Sequence, residues 1–345
     1  MNTRLLQCCS PFVRSLYSII TLIFGVVCAS STLAQEQNFK PVVIYQSELQ
    51  HDSYLALIDA GIRQFEEKTQ VSVMRQHVGD KGYVHSLRQA AEQGYTPIVV
   101  VESNSQQDFA EVATSFPSVH FISLDVAYHL PNVLGLTFNH AEGSYVLGYL
   151  SGLKTKTNRI GFIGGLDIPI INHFKCGFEL GIKDANPEAS LMTQYINKGL
   201  ASWDDLNSAQ AIANSMLAQQ VDIIFPAAGY ASVGAMEAVK VNGHALSFGV
   251  DHNYSNLYPL TNLASLEKRV DIAVFASLMQ LKNAIWNGNR KHFGIKQGVI
   301  NVAINPHTPN LTDNEKQLMA KLMRDFKGNN TAISQKVARY CPTQI

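Results

Sequence analysis

Between residues 41 and 326, short apolar runs alternate with segments of helical period, and that alternation restricts the fold more than any other feature. Runs at 41–45, 71–74, 97–101, 120–124 and 133–138 read as strands, with helices expected over 54–65, 83–93, 109–115 and 142–153. The run Pro97-Ile98-Val99-Val100-Val101 is continuously apolar, the pattern of a parallel strand buried on both faces. A polar stretch at 154–158 interrupts the series, and a domain boundary is expected there. It resumes with strands at 160–163, 191–196, 221–225, 245–250 and 299–304, and helices at 171–182, 206–219, 231–241, 270–286 and 314–326. Two successive β-α runs predict an α/β protein of two doubly wound parallel-sheet lobes with a cleft between them. The segment 158–183 opens the second run with a strand, the turn Gly164-Gly165 and a helix, so loop 164–169 should point at whatever is bound.

Residues 1–34 are a separate object. Arg4 and Arg14 precede the apolar run LYSIITLIFGVVC, which ends near Thr32-Leu33-Ala34, the order of a secretory signal cleaved after Ala34. Export to the periplasm is expected. Val27 before Cys28 argues against lipid attachment at that cysteine. Cleavage leaves Cys176 and Cys341, which could form one disulfide. The reading preferred from sequence is a packed Cys176 and a free Cys341 in the tail. Zero formal net charge without a basic run excludes nucleic acid as a partner. The composition, 46% hydrophobic and 16% charged, is that of a globular chain.

No G-x-S-x-G, Walker A or H-E-x-x-H pattern occurs, and no Cys/His spacing suggests a metal. Asp204 and Asp205 are adjacent and do not pair; Asp205 reads as a helix cap. Neither catalysis nor a cofactor is expected. Polar and aromatic residues do follow the expected strands: Ser103 and Asn104, Asp125, Trp203 and Asp251, with Tyr54 opening the first helix and Lys268 expected at the head of a later one. A strand-end carboxylate can accept two sugar hydroxyls, and aromatic rings can stack on a planar group.

The segments FISLD, PNVLGLTFNHAEGSYVLGYLSGLKTKTNRIGFIGGLDIPIINHFKCGFELGIK, DIIFPAAG, FGVD and SLEKRVDIAVF resemble the basic membrane protein family of ABC-transporter substrate-binding proteins, which includes purine-nucleoside-binding lipoproteins. The resemblance implies a type I periplasmic-binding fold whose chain crosses a hinge three times. The lobes would be 38–157 plus about 268–296, and 158–267 plus about 297–345. It further implies a nucleoside-like ligand handed to an inner-membrane permease, with Asp251 and Lys268 on the ribose, and Trp203 and Tyr54 on the base. The family's Asp-x-Ser-Phe-Asn motif appears as His51-Asp52-Ser53-Tyr54-Leu55, and its Gly-rich turn as Gly229-Tyr230-Ala231-Ser232. The ribose end therefore looks kept and the base end altered. Two other functions fit the same fold: a periplasmic sensor docking on a membrane receptor, and, more remotely, a nucleoside hydrolase.

Overall fold

The computed structural model describes residues 39–46, 53–78, 82–101, 106–286, 290–328 and 331–342. The expected leader, including Cys28, lies outside them. The first sheet is built from β1 (Val42–Tyr45), β2 (Met74–His77), β3 (Ile98–Val100), β4 (Phe121–Leu124) and β5 (Val133–Phe138). A late strand, β11 (Lys291–Phe293), completes the order β11-β5-β4-β3-β1-β2, with every pairing parallel. The second sheet contains β6 (Arg159–Gly164), β7 (Ser190–Tyr195), β8 (Ile223–Ala227), β9 (Leu246–Asp251), β10 (Asn262–Lys268) and β12 (Ile300–Ile304), in the order β12-β10-β9-β8-β6-β7.

The first sheet is flanked by α1 (Ser53–Thr69), α2 (Tyr83–Glu92) and α3 (Gln106–Ser115). All four residues of β1 are buried, because Val43 and Tyr45 face one core and Val42 and Ile44 the other. In β6 the same alternation sends Ile160 and Phe162 into the first of those cores and Ile163 into a third. That is the double coverage expected of a parallel strand.

The chain leaves the first sheet at Phe138. The next helix, α4 (His140–Lys154), packs on α5 (Pro169–Ala185) of the second lobe. Their backbones nearly touch: a methyl group on Gly148 would collide with the Phe178 carbonyl, and one on Gly181 with that of Tyr145. The boundary expected at 154–158 therefore lies one helix after the crossing. A second crossing follows β10 and leads into α8 (Val270–Lys282), which returns to the first lobe and lies against α1. The third joins β11 to β12. The crossings are tied side by side, with Asn139 N donating to Phe293 O at 2.7 Å and Arg269 N to Val299 O at 2.7 Å.

Three features differ from the sequence expectation. Residues 262–268 form β10, so Lys268 ends a strand instead of opening a helix. The neighbouring β12 runs antiparallel to it, Lys268 opposite Ile300 and Ala264 opposite Ile304. This chain segment enters from the hinge and runs away from the cleft, whereas β10 runs toward it. Finally, Cys176 and Cys341 are joined by a disulfide, Cα–Cα 5.7 Å, which corrects the reading of two separate thiols. The helix α10 (Ala332–Tyr340), not anticipated from sequence, carries Cys341 back across α5. Between the lobe elements lie α6 (Leu206–Ala218), α7 (Ser232–Asn242) and α9 (Asp313–Lys327). Asp205 caps α6 as expected, accepting from Ser208 N at 2.9 Å.

Candidate functional site

A cavity of about 150 Å³ lies between the lobes at the carboxyl ends of both sheets. Six of the sequence-predicted residues line it: Tyr54, Asp125, Trp203, Gly229, Asp251 and Lys268. His51, Ser103 and Asn104 lie outside the described residues.

Asp125 immediately follows β4 and sits in a left-handed turn, φ 69°. Its N–H donates to Leu136 O, which holds the residue at the strand end. The carboxylate accepts from Tyr54 Oη at 2.5 Å and from Lys268 Nζ at 2.6 Å. Lys268 comes from the second sheet, so this ion pair joins the two lobes. Its ammonium lies 4.1 Å from the Tyr54 ring centroid and 4.5 Å from that of Phe138, and the residue is 3% exposed. Two aromatic faces and a carboxylate compensate a charge removed from water.

Asp251 is the last residue of β9 and also left-handed, φ 64°. Its β10 neighbour in register is Glu267, which places Lys268 one step farther into the cleft. Burial pushes the Asp251 carboxyl up, against the pull of Lys268 and His252, and Asp125 adds to the rise. No described side chain donates a hydrogen bond to this carboxylate. It is an acceptor aimed into the cavity.

Trp203 closes a short 3₁₀ helix, Gly199–Trp203, between β7 and α6. A methyl group on Gly165 would collide with its indole, so the second glycine of the Gly-Gly turn is the seat of this ring. Gly229, φ 57°, starts another 3₁₀ turn, Gly229–Ala231, and a Cβ there would lie 3.4 Å from Trp203 O.

The sequence reading missed several lining residues. Gln46 directly follows β1 and would have emerged from the same strand-end rule that found Asp125. Ile168, Ile170 and Phe174 on the β6–α5 segment, and Leu200 beside Trp203, carry no chemical signal that separates wall from core. His140 was also missed. Its ring stacks on Phe174 (4.2 Å) and lies edge-on to His173 (6.0 Å). Its Nε2 is 3.8 Å from Asp125 Oδ1 and has no hydrogen-bond partner. Burial, with Lys268 and the other histidines adding repulsion, drops its basicity well below the ordinary histidine range. His173 donates from Nε2 to Cys341 O at 3.0 Å, and burial lowers its pKa to about 4. Among the described residues no cluster of His, Cys, Asp and Glu could hold a metal ion.

The family of ABC transporter substrate-binding proteins described as PnrA-like matches residues 40–335. Basic membrane protein A of Borreliella burgdorferi is 30% identical over 255 residues, covering 71% of this chain and 74% of that protein. Basic membrane protein D of the same species is 23% identical over 320 residues, covering 90% and 92%. Among solved structures, an ABC transporter solute-binding protein from Aeropyrum pernix superposes with a TM-score of 0.73 at 19% identity, over 84% of this chain and 91% of that one. Another from Conexibacter woesei gives 0.64 at 19% identity, over 84% and 96%. These likenesses agree with the type I periplasmic-binding fold seen here. With two α/β lobes, crossings between them and a ligand-sized cleft at the strand ends, this chain belongs to the basic membrane protein family, the PnrA-like substrate-binding proteins of ABC transporters.

Proposed function

We propose that this protein is exported to the periplasm, captures a nucleoside or a related ribose-bearing aromatic solute by hinge closure, and delivers it to a membrane permease. The observation that carries the reading is Asp251. A buried carboxylate at a strand end, with raised pKa and no donor of its own, suits a ligand that brings two vicinal hydroxyls. Trp203, held on Gly165, offers a ring face for the planar part of the same ligand. Hinge motion is supported by the crossings and by the Lys268–Asp125 pair, which must part when the lobes separate.

A thermal-shift series over nucleosides, free bases and sugars tests the reading. A nucleoside at 100 times its Kd should stabilise the protein by about 2.7 kcal/mol, roughly 5 °C in Tm for a chain of this size. Asp251→Asn, which keeps a residue tolerant of the left-handed backbone, should abolish that shift. A variant that responds like the parent would show that the sugar is held elsewhere.

A further inference from the structure

We infer that the site recognises the planar part of its ligand by shape and stacking, without hydrogen bonds to the ring edge. It therefore favours ribosides of aromatic rings with few polar substituents. This rests on the nucleoside reading above and goes on to the ring it selects.

The polar lining of the cavity is already committed. Tyr54 and Lys268 both donate to Asp125, and that trio satisfies itself. Gln46 has interactions of its own. Asp251 is left as the acceptor for the sugar. The described side chains that remain for the ring are Leu55 from the first lobe, and Ile168, Ile170, Phe174, Leu200 and Trp203 from the second.

The layer behind this wall is equally closed. Asn172 Nδ2 donates to Asp167 Oδ1 at 2.7 Å, while Asn172 Oδ1 accepts from Tyr195 Oη at 2.5 Å. Asn197 Oδ1 accepts from Asp167 N at 3.0 Å. Helix α5 starts with Pro169, which removes one of the N–H groups that a helix start normally presents. A keto or amino group on the ring edge would thus leave water for a wall that cannot replace its hydrogen bonds. A hydrophobic pocket rejects an added polar group by up to about 100-fold, whereas a site built to bond that group rejects the analogue lacking it by far more. The direction of preference consequently separates the two designs.

Calorimetric titration of the full-length protein with purine riboside, inosine, guanosine and ribose provides the test. Purine riboside, whose ring bears no exocyclic group, should bind at least as tightly as inosine. It should exceed guanosine by up to about 100-fold. Ribose alone should be weaker than every riboside. Inosine or guanosine binding more than tenfold tighter than purine riboside overturns the inference and leaves the nucleoside reading standing. Silence with all three ribosides overturns both. Ile170→Asn, at a half-buried position, should move the guanosine-to-purine-riboside affinity ratio about tenfold toward guanosine. Leu55→Asn should do the same from the opposite lobe. Because the ratio is taken within one folded variant, a loss of stability does not imitate the effect, and an unchanged ratio in both variants counts against the assignment.

Discussion

Asp125 and Asp251 occupy corresponding corners of the two lobes. Each stands at the end of the third strand in its sheet order, β4 in one and β9 in the other, with φ of 69° and 64°. Both are buried. Their surroundings are opposite. Asp125 holds the hydroxyl of Tyr54 and the ammonium of Lys268, while burial pushes the Asp251 carboxyl up. The same local backbone therefore serves two purposes, a fastening between lobes at one corner and an acceptor for a ligand at the other. A buried charge without a donor costs folding free energy. That cost is intelligible if the hydroxyls of a solute complete the site.

The largest effect that separates the corners should be on stability. Asp125→Asn strips the buried ammonium of its 2.6 Å partner and should cost about 3–5 kcal/mol in denaturant unfolding. Asp251→Asn should cost nothing or stabilise slightly, since it removes a strained charge. If Asp125→Asn cost under about 1 kcal/mol, Lys268 would be turning to Asp251 and the corners would be interchangeable.

The pH dependence is next in size. The Asp251 carboxyl is raised in the fold, so its contribution is present below the unfolded value of about 3.9 and is lost as pH rises through the higher folded value. His140 and His173 are depressed, so their contributions are present above about 6.5 and are lost on acidification, for His173 by up to about 3 kcal/mol as pH falls toward 4. The two trends oppose each other. Asp251→Asn should therefore lose stability more steeply than the parent between pH 6.5 and 4, and a parallel profile would show that the carboxyl is not raised.

The smallest effect concerns Tyr54. Tyr54→Phe keeps the ring beneath Lys268 and removes one donor from Asp125, a loss of about 1–2 kcal/mol in unfolding free energy. No change would mean that Lys268 alone fastens that corner.

These contrasts also indicate what a sequence can disclose. Strands buried on both faces, such as β3 and β9, announce themselves by composition, and the strand-end rule found both aspartates. Edge and hinge elements do not. β2 was expected at 71–74 but lies at Met74–His77, because an edge strand paired only with β1 can be polar. Residues 262–268 read as the approach to a helix, because Lys268-Arg269 precedes the apolar run of α8. With β10 went the direction of β12 and the position of Lys268. The disulfide depended on α10, which brings together residues 165 apart in sequence. At the site, polarity identified Asp251, Asp125 and Lys268. The division of labour among them is set by which groups meet across the hinge, and the apolar wall carries no sequence mark distinguishing it from core.

The seating of Trp203 on Gly165 has a spectroscopic consequence. The chain contains two tryptophans, and they divide between the lobes. Trp286 is fixed in the first, stacked on His120 at 4.1 Å and donating from Nε1 to Pro131 O at 2.9 Å, while Trp203 borders the cavity. One indole should see the solute and the other should not. The protein thus emits both an indicator and an internal reference, and a single Trp203→Phe substitution tells them apart.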